Sequence, residues 1–186
     1  MLAEREAFEA KRPAMREHRL IFLDESSIST NLHHAYGRAP AGERVTLYAL
    51  PYGARRTLVG AIATDGQTAL AVLNDGLRVS SFQTFIQEKL VPMLRPGDVV
   101  IMDNLRIHKN PEAVAAIEAT GASVEFQPRY SPEFNAIEHC WSWIKHRLRN
   151  LGCRVIDQLV SHAEQTWREI TPELCQSWAR GCGYAV

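Results

Sequence analysis

Two runs of four apolar residues, Leu20–Leu23 and Val99–Met102, each end on an aspartate, Asp24 and Asp103. Neither run alternates with polar residues. Each therefore reads as a short strand covered on both faces, as interior strands of α/β sheets are. A strand-end aspartate commonly only caps the following turn. Two in matching contexts say more. On neighbouring strands their carboxylates would lie side by side at one sheet edge, where open α/β sheets bind ligands.

The segments around them complete a mixed order. Residues 1–18 read as a charged helical linker interrupted by Pro13, and residues 19–186 as one domain with a sizeable core. "RVTLYAL" and "RTLVGAIAT" are β-rich, and "TDGQ" is a hairpin-type turn before "TALAVLN", which together suggest an antiparallel meander. Phe82, Phe85, Ile86 and Leu90 then fall at helical spacing, with serines before them as candidate caps. Asn110–Pro111 opens a further helix and Gly121 closes it, "ASVEFQP" is a short strand, and everything beyond Ser131 is helical. Strands first paired in a meander and then separated by helices fit an α/β sheet with helices on its faces.

A third acid, Glu138, begins the helical region. Asn135 as N-cap with Glu138 three residues on would form a capping box. Phe134, Ile137, Trp141, Ile144 and Leu148 make the core stripe, which leaves Glu138, Ser142, Lys145 and Arg149 on one polar flank. An acid at one end and cations at the other could place a metal ligand near the sheet edge and lead a phosphate backbone away from it. The cap and the ligand role are compatible. Three converging carboxylates without a cysteine ligand set favour Mg²⁺ or Mn²⁺ over zinc. Two such ions, about 3.5–4 Å apart, activate a water or hydroxyl and stabilise the leaving oxygen of a phosphodiester. Without a cation the three acids repel one another. Glu25 follows Asp24 and points to the opposite strand face, which makes it a poor co-ligand.

Charge sets the remaining bounds. The net charge is zero, but His139–Arg154 carries Lys145, Arg147, Arg149 and Arg154 with no acid, and Arg38–Arg56 carries four arginines against Glu43. Two basic patches on a neutral chain fit DNA handling or an ordinary solvated surface. No apolar run is long enough to span a membrane, and the charged N-terminus is not a secretory signal. The four cysteines lack metal-finger spacing, as do His33–His34 and His139–Cys140, and the cysteines read as reduced thiols of a cytoplasmic protein.

"FLDES", "VVIMDNLRIHK" and "PRYSPEFNAIEHCWSWIK" resemble, in order, the three catalytic blocks of DDE transposases, most closely the bacterial insertion-sequence family related to the mariner elements. The 34 residues between Asp103 and Glu138 match the spacing of that superfamily, and "YGRAPAGERV" and "LVPMLRPGD" extend the likeness over nearly the whole chain from Leu20. The resemblance implies an RNase H-like fold, a mixed five-stranded sheet flanked by helices. It places Asp24 and Asp103 on adjacent central strands and Glu138 on a later helix, as ligands of Mg²⁺ or Mn²⁺. It further implies cleavage at transposon ends and attack of the freed 3′-hydroxyl on target DNA, in a bacterial cytoplasm.

Around the triad, His108 either approaches the metal site or is a plain loop histidine, and Asn104 and Asn135 either orient carboxylates and phosphate or serve turns and caps. Lys145 and Arg149 are the candidate DNA-backbone contacts. Two departures from the family pattern, Ala136 in place of a proline and Arg129 in place of another, leave the triad intact. Fewer than 20 residues precede the first strand, so helix-turn-helix recognition of transposon ends is expected on another polypeptide or domain, and a homodimer is compatible with the family. Two alternatives stay open: an RNase H-like nuclease without strand transfer, and an inactive truncated element product acting as an interaction partner.

Overall fold

The computed structural model describes residues 2–34, 36–46 and 52–186. Helix α1 (Leu2–Lys11) stops where Pro13 enters, and a 3-10 turn (Arg12–Glu17) leads into the sheet. This segment, expected as a linker, lies against the body and buries Phe8 and Met15.

Five strands follow the chain as β1 (Leu20–Ser29), β2 (Arg55–Ala63), β3 (Thr68–Leu73), β4 (Val99–Met102) and β5 (Ser123–Phe126), in spatial order β3-β2-β1-β4-β5. The β1–β2–β3 pairs are antiparallel, whereas β4 and β5 are parallel to β1. The mixed five-stranded sheet is thus as expected. Of the segment "RVTLYAL", residues 47–50 lie outside the described residues, and 44–46 are not strand.

Alternation along the strands divides the core. Leu20, Phe22, Leu58, Ile62 and Ile101 face α4 (Ile137–Leu151), α5 (Ile156–Arg168) and α6 (Pro172–Gly181). Ile21, Leu23, Val59, Val100 and Met102 face α2 (Val79–Phe85), with its continuation to Leu90, and α3 (Pro111–Glu118). Each such side chain, removed from water, contributes about 1.5–3 kcal/mol before chain entropy is set against it. The Asn110 side chain accepts from Ala113 N at 3.0 Å, so the cap read for α3 forms.

One position governs how near α4 comes to the sheet. A Cβ on Gly60 would stand 2.5 Å from Trp167 Cη2 and 2.7 Å from Trp141 Cη2. The absent side chain admits both indoles, whose centroids are 5.3 Å apart, directly onto β2. Gly60 is the β2 partner of Asp24, and Trp141 lies one turn beyond Glu138.

Candidate active site

Strands β1 and β4 are paired only from Leu20–Val99 to Phe22–Ile101. Beyond that, β1 runs on to Ser29 beside β2 while β4 ends at Met102. The sheet therefore opens a crevice at the carboxyl ends of two parallel strands, the expected place for a ligand. Asp24 and Asp103 stand on its two sides. Glu138, the second residue of α4, closes the third, and all three acids line one cavity of about 370 Å³.

Asn135 holds that arrangement together. It is 2% exposed, and its Nδ2 donates to the Leu23 carbonyl at 3.1 Å, tying the run-in to α4 to the residue before Asp24. This corrects the capping-box reading. The helix starts at Ile137 with Ala136 as its N-cap, and no side chain caps it. Asn135 Oδ1 reaches only Ile137 N at 3.4 Å. A long-range bond has taken the amide that local sequence assigned to a cap. The 3-10 turn Pro132–Phe134 just before it is held from outside: Tyr184 Oη donates to the Phe134 carbonyl at 2.8 Å, Arg12 lies over the Phe134 ring, and Arg5 bonds Ser131 Oγ and pairs with Glu133. On the cavity rim Tyr130 is 88% exposed at a φ of 54°, the only described residue other than glycine in the left-handed region.

The three acids differ in their support. Burial above all, then the charges of Glu25 and Glu138, pushes Asp24 up to about 8. Burial alone would raise Asp103 too, but hydrogen bonds from His108 and from the Leu105 amide hold it below the usual carboxylate range. His108 Nδ1 lies 2.6 Å and Leu105 N 2.8 Å from the same oxygen, Oδ1. Glu138 is raised by burial, with Asp103 and Glu25 adding and Lys145 opposing.

His108 is fully buried, so the loop-histidine reading gives way to one beside the site. Its other nitrogen, Nε2, lies 3.0 Å from Glu25 Oε2. Burial alone would lower this imidazole, but the two carboxylates raise it to about 9. Glu25 does point away from Asp24, as alternation requires, yet sequence reasoning missed its partnership with His108. Nothing local signals a contact between residues 83 positions apart.

The Asn104 amide donates to the Gln127 carbonyl, joining the exits of β4 and β5 rather than holding an acid. Lys145 and Arg149 have no ion-pair partner among the described residues, whereas Arg147 pairs with Glu169 and Arg154 donates to the Thr30 carbonyl at 2.9 Å. Burial lowers Lys145, with Glu138 pulling the other way.

Among the described residues, no three His, Cys, Asp or Glu side chains are already gathered as a metal-binding cluster. The donor chemistry nonetheless fits a hard cation: three carboxylates share one cavity, Asp103 keeps Oδ2 free of hydrogen bonds to described residues, and Asp24 forms no ion pair with a described residue.

Residues 19–171 match the family model described as DDE superfamily endonuclease. The chain belongs to the DDE superfamily endonucleases. A search of curated proteins finds no match. Among solved structures, this DDE endonuclease is similar to the Mos1 strand transfer complex, with a TM-score of 0.76 at 16% identity over 98% of this chain and 57% of that one. It is also similar to the Mos1 mariner paired end complex with Mn (0.74, 16%, 97% and 57%) and to the catalytic domain of Mos1 mariner transposase (0.66, 13%, 98% and 86%). At these identities the likeness shows the fold, RNase H-like as expected. The chain spans under three fifths of the Mos1 chains in the two complexes.

Proposed function

We propose that this domain cleaves DNA at transposon ends and joins the freed 3′-hydroxyl to target DNA, with Asp24, Asp103 and Glu138 holding Mg²⁺ or Mn²⁺. One observation carries the reading: three acids from three separate elements share the crevice at the carboxyl ends of β1 and β4, and one of them is raised by burial and by its acidic neighbours. The family supports it, as do the Mos1 structures of like fold, one a strand transfer complex and one containing Mn.

When bound, the cations supply activation of the attacking water or hydroxyl and charge stabilisation at the phosphorus. The chain supplies placement. Asp24, raised to about 8 chiefly by burial, would hold the cation as a carboxylate, giving up its proton on binding. Asp103 is oriented through one oxygen and offers the other. Asn135 keeps Glu138 in register with Asp24. Lys145 and Arg149, on the flank of α4 that begins at Glu138, are free to take the phosphate backbone.

The test is incubation with supercoiled plasmid and Mn²⁺, comparing the native chain with D24N, D103N and E138Q. Nicking and joined strands that vanish in all three variants support the reading. Nicks with no joined product reduce it to a nuclease, and cleavage indifferent to the acids removes it.

A further inference from the structure

We propose that Glu25 is a positioning residue for Asp103, acting through His108 from the opposite face of the sheet. The inference rests on the proposed function only in taking Asp103 as a cation ligand. Adjacent residues of a strand point to opposite faces. Asp24 enters the cavity, and Glu25 faces the side covered by α2 and α3. There the His108 ring lies against Phe82, centroids 5.0 Å apart, with none of its surface exposed. Both ring nitrogens meet a carboxylate: Nδ1 at 2.6 Å from Asp103 Oδ1, and Nε2 at 3.0 Å from Glu25 Oε2.

Phe82 packs on the face of the ring but does not fix its rotation about the Cβ–Cγ bond. Glu25 does. With one carboxylate 3.0 Å from Nε2 and another 2.6 Å from Nδ1, the ring has one seating, with Nδ1 aimed at Asp103. Asp103 needs that aim because its side chain is 47% exposed and, among the described residues, its only other hydrogen bond is from the Leu105 amide. Fixing Oδ1 from behind leaves Oδ2 facing a ligand in one orientation. Outer partners of this kind are worth about 10–100-fold in metal affinity. The Asp24–Glu25 pair would then serve both sides of the site, one residue as a ligand and its neighbour as the support of the second ligand.

The experiment is Mn²⁺ binding by calorimetry on the full chain without DNA, with a thermal melt of each variant. E25A is expected to weaken Mn²⁺ by roughly tenfold or more. E25D, which withdraws the carboxylate by one methylene while keeping charge and fold, should lose several-fold. E25Q, whose amide can donate to Nε2 and so preserve Nδ1–H, should stay within about threefold of the native chain. In an H108N background, where the Asn amide still reaches toward Asp103 but Glu25 is disconnected, E25A should add nothing further. Native affinity in both E25A and E25D overturns the proposal, as does an undiminished effect of E25A in H108N. The two readings fail separately. A native chain that binds no Mn²⁺ sinks the proposed function, and in that case the order of the His108 ring, read by side-chain ¹³C relaxation, decides for Glu25: the ring must loosen in E25A and stay fixed in E25Q.

Discussion

At the amino end of β1, Arg19 grips Asp98 with two nitrogens, Nε at 3.0 Å and Nη2 at 2.7 Å, and reaches Asp65 at 2.9 Å; Arg95 lies 3.2 Å from the same Asp65 carboxylate. At the carboxyl end, a few residues along the same strand, Asp24 faces Glu138 and Asp103 with no arginine at hand. Both ends bury carboxylates. At the first, burial alone would raise Asp65, but Arg19 and the Gln67 amide more than offset it and hold it low. At the second, only a backbone amide works against burial and the neighbouring acids, and Asp24 is raised to about 8. Each charge in the paired end has its complement within the chain. At the other end Asp24 and Glu138 have no ion pair with a described residue, as the cation proposed for this site requires.

The comparison breaks most plainly through activity. D24N, D103N and E138Q should each lose several kcal/mol of transition-state stabilisation, on the order of a thousandfold in Mn²⁺-dependent strand cleavage. D98N and R19L should leave the chemistry intact in whatever fraction folds; a gel assay of nicked plasmid reads both. Stability should order the same changes in reverse. R19L strands Asp98, only 3% exposed, and should cost about 3–5 kcal/mol in urea unfolding. D24N in cation-free protein should cost nothing and raise the melting temperature above pH 8, where the native side chain is charged. Between these sits Gly60→Ala, which presses a methyl group on two indoles and should cost about 1–3 kcal/mol.

The pH dependence sharpens the contrast. Asp24 is raised from 3.8 to about 8, so its contribution to stability is complete below 3.8 and gone above 8. His108 is raised from 6.5 to about 9, so its contribution is complete below 6.5 and gone above 9. Both decline together between pH 6.5 and 8, and the melting temperature of the cation-free protein should fall most steeply there. Asp65 has the opposite sign: its contribution is present above 3.8 and lost as pH falls through its lowered value. The smallest expected effect is a count. At pH 7, Mn²⁺ binding should release roughly one proton, read from calorimetry in buffers of different ionisation enthalpy.

Much of this was legible in the sequence because it is written locally. Unbroken apolar runs gave the interior strands, the spacing from Phe134 to Leu148 gave the buried stripe of α4, and matching contexts brought Asp24 and Asp103 to one edge. What escaped depends on contacts between distant residues. Asn135 was legible as a cap, since that is what an asparagine does beside its own helix; the carbonyl it bonds belongs to a strand 112 residues away. Alternation rightly turned Glu25 away from the cavity but could not show that a loop histidine would meet it there. The length of β1 was also hidden, because its second half, Glu25–Ser29, is mostly polar and paired to β2 alone.

The bond from Asn135 to Leu23 has a mechanical consequence. It pins the start of α4 one residue from Asp24 and three from Glu138, while the free cations Lys145 and Arg149 lie two to three turns along the same rod. A duplex pulling on those cations would load α4 as a lever with its fulcrum at Asn135. A small swing at the far end would become a fine adjustment of the gap between two carboxylates. If so, DNA should tighten Mn²⁺ binding in the native chain and cease to do so in N135A, where the fulcrum is gone.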